Sequence, residues 1–234
     1  MQASSALNWV RLALMCGGSL MALQPAVAQS ITPAADGTGS VVTQTGDLYQ
    51  ITGGTLSGDG SNLFHSLQQL GLNPNEIAQF LAQPQIQNIL ARVTGGSPSV
   101  LQGLVQVLGG GANLYLINPA GIVFTPTAQI DVPGSFTATT SDRIQFSDRA
   151  FNAIGANDYS TLNGNPTAFD FLSAAPGAIL NEAQLSNLDG DINLIGGTVI
   201  NLGTLEAPNG QITLAAVPGR RTLRITQAGT ILAI

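Results

Sequence analysis

The chain has 234 residues, of which 44% are hydrophobic, 5% aromatic and only 9% charged, with a formal net charge of −6. One domain is the default at this length, and an acidic chain whose basic residues are all arginine speaks against nucleic acid, which calls for a basic patch. Low charge with many aliphatics excludes intrinsic disorder and suits a core of stacked Val, Ile and Leu.

The first 28 residues have the features of a secretory leader. Arg11 supplies the positive flank, residues 12–23 are mostly apolar, and Ala26-Val27-Ala28 is a small-x-small cleavage site before Gln29. The apolar run is too short for a membrane helix of ~20 residues. A lipid anchor on Cys16 is disfavoured because Met15 precedes it, where a small residue is expected. Cleavage after Ala28 leaves a mature chain, residues 29–234, with no cysteine and so no disulfide to lock it in an oxidising compartment.

Residues 30–54 read as short strands ending in Leu48-Tyr-Gln-Ile-Thr-Gly-Gly54. The period then changes. Asn73-Pro-Asn-Glu76 predicts a helix start, with Asn73 as N-cap, Pro74 as first helical residue and Glu76 closing a capping box across Asn75. Ile77, Phe80 and Leu81 follow at helical spacing and Pro84 stops the run. Residues 86–93 read as a further helical turn or a strand. The expectation is a short helical or irregular insertion near residues 73–92.

Asn113-Leu-Tyr-Leu-Ile-Asn-Pro-Ala-Gly-Ile-Val-Phe124 reads as strand, tight corner, strand. Pro119 has no N–H for a ladder, Asn118 can hydrogen-bond its neighbouring backbone, and Gly121 permits a positive φ. Alternation continues through Ile122, Phe124, Ile130, Val132, Phe136 and Ala138, with a second turn at Pro133-Gly134. Residues 143–171 read as polar, irregular loops.

The C-terminal part repeats itself. Residues 176–195 align with residues 196–215 without a gap, matching Ile179 to Val199, Asn181 to Asn201, Leu185 to Leu205, Ile192 to Ile212 and Leu194 to Leu214. Each unit is a set of short strands joined by Gly, Asn and Pro turns. A unit of this size is about one coil of a parallel β-helix, in which like residues stack into ladders and no coil is stable alone. The expected class is therefore all-β, with Asn181 over Asn201 as one rung.

Residues with catalytic chemistry are few. His65 is the lone histidine, beside Phe64, and no nucleophile elbow is recognisable. Arg92 is expected to pair with an acidic residue on a neighbouring coil. Asp189-x-Asp191-x-Asn193 could offer oxygen ligands to calcium, but Asn209 and Gln211 stand where the aspartates should recur. No catalytic, metal or cofactor site is assigned. The rival class is a β-helical polysaccharide lyase, in the periplasm or outside the cell, which needs clustered carboxylates or a basic residue near substrate; a chain without lysine fits that poorly.

Three motifs in order then carry a resemblance. They are Asn73-Pro-Asn75, Arg92-Val-Thr-Gly-Gly-Ser-Pro-Ser99 and Asn118-Pro-Ala-Gly-Ile122, continued by Ala128-Gln-Ile-Asp-Val-Pro-Gly-Ser-Phe136. The chain resembles the N-terminal secretion domain of two-partner secretion exoproteins, the filamentous-haemagglutinin (TPS) domain family, from about residue 43 to 217. It departs from the family pattern at Glu76, Ala120, Thr125 and Pro133. The resemblance implies a right-handed parallel β-helix, export by the Sec machinery, and recognition by a TpsB transporter, an Omp85-type outer-membrane barrel with POTRA domains. It implies folding outside the cell, a secreted or cell-surface location, no enzyme activity, and an adhesive passenger with a host or cell-surface ligand. It marks Asn73, Pro74, Asn75, Arg92, Thr94, Gly95, Gly96, Asn118, Pro119, Gly121 and Ile122 as secretion-motif residues, either contacting the transporter or shaping the fold. The strand-like end at Ile234 is compatible with a truncated exoprotein, a fragment or a short stand-alone member.

Overall fold

The computed structural model describes residues 30–225 and the backbone of the strand Ile231–Ala233. The leader expectation lies outside the described residues. Among them there is no α-helix, only a 3₁₀ turn at Tyr159–Thr161. The rest is strands and tight turns wound into a parallel β-helix with three faces.

The long face stacks Asn62–Leu70, Asn88–Val93, Asn113–Ile117, Phe136–Thr139, Ile192–Gly196 and Ile212–Ala216, each parallel to the next. The short face stacks Ser99–Leu101, Ile122–Phe124, Ala178–Asn181 and Thr198–Asn201. The lateral face stacks Leu48–Gly53, Ile77–Leu81, Leu104–Leu108 and Gln129–Asp131. It resumes as a separate pair, Gln184–Ser186 with Thr204–Glu206, so the lateral ladder is broken between the two groups. The chain runs lateral, long, short and back again, once per coil.

Strand alternation explains why these residues fold this way. On the long face Ile89, Leu114, Phe136 and Ile192 occupy one register and point into the helix, as do Ala91, Leu116, Ala138 and Leu194. The expected aliphatic stack is thus present, with Phe80, Phe124 and Phe136 buried in the same core. The twenty-residue repeat is also present in register, from Ile179 on Val199 through Leu185 on Leu205 to Leu194 on Leu214. A hairpin of Ser40–Thr45 and Leu48–Gly53 covers the first coil. At the other end Ile200, Leu202, Ile212 and Leu214 are exposed.

Two expectations are corrected. Residues 143–171 are not irregular loops. They leave the helix between Phe136–Thr139 and Ala178–Asn181 and form antiparallel strands Arg143–Phe146, Arg149–Asn152 and Ala168–Phe171, joined by Arg221–Ile225. This outer sheet lies over the long face. Ile144, Phe146, Phe151, Phe169 and Phe171 pack on Phe64, Leu90, Ile117 and Ile195, making a second core. The polar alternates Arg143, Gln145 and Asp170 disguised a period of two.

The second correction is the helix near residues 73–92. Glu76 N–H bonds the Asn73 carbonyl at 3.2 Å, closing a turn, and Asn75 has φ 72°, which no helix continues. Ile77–Leu81 and Asn88–Val93 are strands of one regular coil. Asn88–Val93 is buried at all six positions, because both sides of the long face are covered. Such a strand loses alternation, which is why residues 86–93 could be read either way.

Candidate recognition corners

The three motifs occupy two corners of the helix. The Arg92 and Asn118 motifs lie on adjacent coils at the corner between long and short faces. Asn73, Pro74 and Asn75 turn a different corner, between short and lateral faces. The structure therefore brings together Arg92, Thr94, Gly95, Gly96, Asn118, Pro119, Gly121 and Ile122, and leaves the first motif apart.

The Asn118 corner is a closed hydrogen-bond unit. Gly121 N–H bonds the Asn118 carbonyl at 3.0 Å, and the Asn118 Oδ1 accepts Ala120 N–H at 3.0 Å. Its Nδ2 donates to the Ser97 carbonyl and to Ser99 Oγ, both at 3.0 Å, tying it to the coil below. Asn118 is 1% exposed. Gly121 takes φ 126°, where a β-carbon would also stand 3.1 Å from the Ala178 carbonyl oxygen. Ile122 is buried between Ser99 and Ile179.

Arg92 is a buried clamp, 2% exposed. Its Nε donates to Ser66 Oγ at 3.0 Å, Nη1 to the Asn152 and Gly155 carbonyls at 2.8 and 2.7 Å, and Nη2 to Asp36 Oδ2 at 2.8 Å. It also lies 5.7 Å from the Phe151 ring centre. The expected acidic partner exists, but it comes from the N-terminal segment and not from a coil. Burial would raise the Asp36 carboxyl, yet hydrogen bonds from Ser66, Thr38 and Arg92 outweigh it and hold the group at about 2. A buried arginine is tolerable only when so fully partnered.

Thr94 bonds the Leu67 carbonyl through N–H at 2.8 Å and hydroxyl at 3.2 Å. A β-carbon on Gly95 would fall 2.1 Å from the Gln68 carbonyl oxygen, so this position requires glycine. Gly96 follows, exposed, at φ 77°. At the other corner, Asn73 N–H donates to Glu76 Oε2 at 2.7 Å, and its Nδ2 to Oε1 at 3.2 Å. The capping-box bond forms, but it fastens a turn. Pro74 and Asn75 are exposed.

His65 points into the helix beside the Phe80 ring, its Nδ1 3.3 Å from Ser40 Oγ and its Nε2 buried without a partner among the described residues. Burial pushes its imidazole down to about 4. Ser40 Oγ accepts Ser66 N–H at 2.9 Å and keeps its own O–H for His65 Nδ1, so the pair is a structural hydrogen bond. Asp191 Oδ1 accepts Gln211 N–H at 2.8 Å and Asn193 donates to Thr137 Oγ1 at 3.2 Å, so both polar groups brace the long face.

Sequence reasoning found the Asn181–Asn201 rung, which forms at 2.7 Å. It missed a longer ladder. Asn113 Nδ2 donates to Asn88 Oδ1 at 2.9 Å and Asn88 Nδ2 to Asn62 Oδ1 at 2.8 Å. Asn62 Nδ2 then holds the Leu162 and Gly164 carbonyls at 2.9 and 2.8 Å, fastening the excursion to the helix. The available signal was an asparagine followed by two apolar residues, recurring at Asn62, Asn88 and Asn113.

Comparison with known proteins agrees with this geometry. Residues 28–233 match the TPS secretion domain. The chain is 33% identical over 131 residues to the heme/hemopexin-binding protein of Haemophilus influenzae, covering 53% of this chain and 13% of that protein. It is 32% identical over 101 residues to the toxin CdiA of Escherichia coli, covering 40% of this chain and 3% of that protein. It thus spans a small part of the length of these relatives. The crystal structure of the HMW1 secretion domain from Haemophilus influenzae superposes with a TM-score of 0.64 at 24% identity, over 88% of this chain and 48% of that one, which supports the fold. On the match over residues 28–233, the chain belongs to the TPS secretion domain family.

Proposed function

We propose that this domain takes an exoprotein across the outer membrane of a Gram-negative cell. After Sec export it is engaged in the periplasm by a TpsB transporter of the Omp85 type, through its POTRA domains. It then folds as a β-helix outside. The observation that carries this reading is the family match over residues 28–233.

The geometry supports a folding role for two of the three motifs. Asn113–Ile117 and Ile122–Phe124 are each paired on both sides, so neither offers an edge for strand addition once folded. Asn118 and Arg92 are buried as well. These residues serve folding, and a transporter meets them only before the coils close. Pro74 and Asn75 of the first motif, with Ser97 and Pro98 of the second, keep exposed side chains after folding. The lyase alternative has less support: the buried arginine, Arg92, has its donors committed to structural partners. A ligand on a host or cell surface is a property for the whole exoprotein.

The test is secretion of the full chain from a Gram-negative host with and without a cognate transporter, following protein in medium and periplasm. Partner-dependent appearance in the medium is expected. Periplasmic accumulation with every authentic partner tried would remove the proposal. Asn75→Gly, which tolerates the positive φ but lacks the amide, separates contact from folding. If secretion falls while the purified variant keeps its stability, the transporter reads that side chain.

A further inference from the structure

One cavity is unused by the secretion reading. It lies between the outside of the long face and the outer sheet, with a volume of about 120 Å³. At the ~30 Å³ that a water takes up in the liquid, it holds about four waters, the space of one small ring. Tyr115, Thr137, Asp191 and Asn193 line the β-helix side, and Phe169 and Ile225 the outer sheet.

The lining has a definite chemistry. The Tyr115 hydroxyl makes no hydrogen bond among the described residues. Burial and the Asp191 charge push it up to about 12, so it stays a donor. Asn193 spends one amide N–H on Thr137, which leaves its carbonyl oxygen for a ligand. Asp191 Oδ1 takes Gln211 N–H, which leaves Oδ2. No arginine lines the cavity among the described residues, so an anion would meet Asp191 with no counter-charge. Uncharged amide and hydroxyl groups outnumber the one carboxylate, and an apolar wall faces them. A small concave site with a few convergent polar groups on an apolar surface suits a ligand that has both characters.

We propose that this cavity binds the terminal ring of a neutral sugar. Ring hydroxyls donate to Asp191 and Asn193 and accept from Tyr115, while the C–H face lies on Phe169 and Ile225. Acidic sugars are excluded by Asp191. The proposal is independent of the transport reading, since the cavity forms only in the folded domain.

The test is saturation-transfer NMR on the secreted, folded chain, with methyl glycosides of glucose, galactose, mannose and N-acetylglucosamine. Glucuronate and methylammonium are the charged controls. At least one neutral glycoside should bind saturably in the millimolar range, and glucuronate should not. Tyr115→Phe and Asn193→Leu, each checked for an unchanged circular dichroism spectrum, should weaken binding by about fivefold, the loss of one neutral hydrogen bond. Absence of saturable binding by every neutral glycoside would overturn the proposal. So would binding unchanged in both variants, or binding of methylammonium in place of the sugars.

Discussion

Lowering the pH from 7 to 4 should cost this domain about 3 kcal/mol of stability through one residue. His65 is fully buried, with Nε2 unpaired among the described residues, and its imidazole is pushed from 6.5 down to about 4 by burial. In the unfolded chain the ring takes a proton as pH falls through about 6.5, whereas the folded chain resists until about 4. The unfolded state therefore binds more protons in this window, and stability falls with pH at about 1.4 kcal/mol per unit. Above the unfolded value the contribution is fully present; below the folded value nothing further is lost. The carboxyl of Asp36 titrates later, between 3.8 and about 2, so the two effects separate. His65→Leu removes the titration and the orphaned nitrogen, and costs about 1 kcal/mol for the Ser40 contact. Urea unfolding followed by far-ultraviolet circular dichroism at half-unit pH steps measures both proteins. The variant should match or trail the parent at pH 7.5 and exceed it by roughly 2–3 kcal/mol at pH 4. An equal acid loss in both proteins would refute the assignment to His65.

Other substitutions test the corners. Arg92→Met should destabilise by about 3–5 kcal/mol, because Asp36 and two carbonyls lose their donor, and limited proteolysis should cut first in residues 149–157. Gly95→Ala should cost on the order of 1–3 kcal/mol, since the new carbon meets a backbone oxygen that cannot step aside; thermal unfolding would detect it. Asn181→Ala should cost about 2 kcal/mol and Asn201→Ala less than about 0.5, although they are the same rung, because only Asn181 is buried. Equal losses in a denaturant titration would contradict that asymmetry.

How much the sequence disclosed depended on how evenly the coils are wound. Asn181 and Asn201 are 20 residues apart with equal turns between, so the ladder could be read by eye. The steps from Asn62 to Asn88 and on to Asn113 are 26 and 25 residues, and turns of different length break the alignment. The Asn73 turn misled because Pro at the second position and a carboxylate three residues on suit a turn and a helix start alike. Only the positive φ of Asn75 decides between them, and asparagine tolerates either. The outer sheet was missed because its strands are short, antiparallel and half polar, and their apolar side has no meaning until the long face is known to be apolar outside as well. The burial of Arg92 was out of reach too, since its partners lie 26 to 63 residues away.

The outer sheet has one consequence for the order of events. Ala168–Phe171 is completed not by a neighbour in the chain but by Arg221–Ile225, with Phe169 opposite Leu223. Any chain that emerges from its N-terminus can wind its first coils while the later ones are still behind it. It cannot seal the second core until the last described strands have arrived. The domain is fastened like a parcel whose wrapping is laid down early and whose string is tied only at the final turn, so a stalled chain should be wound yet remain untied.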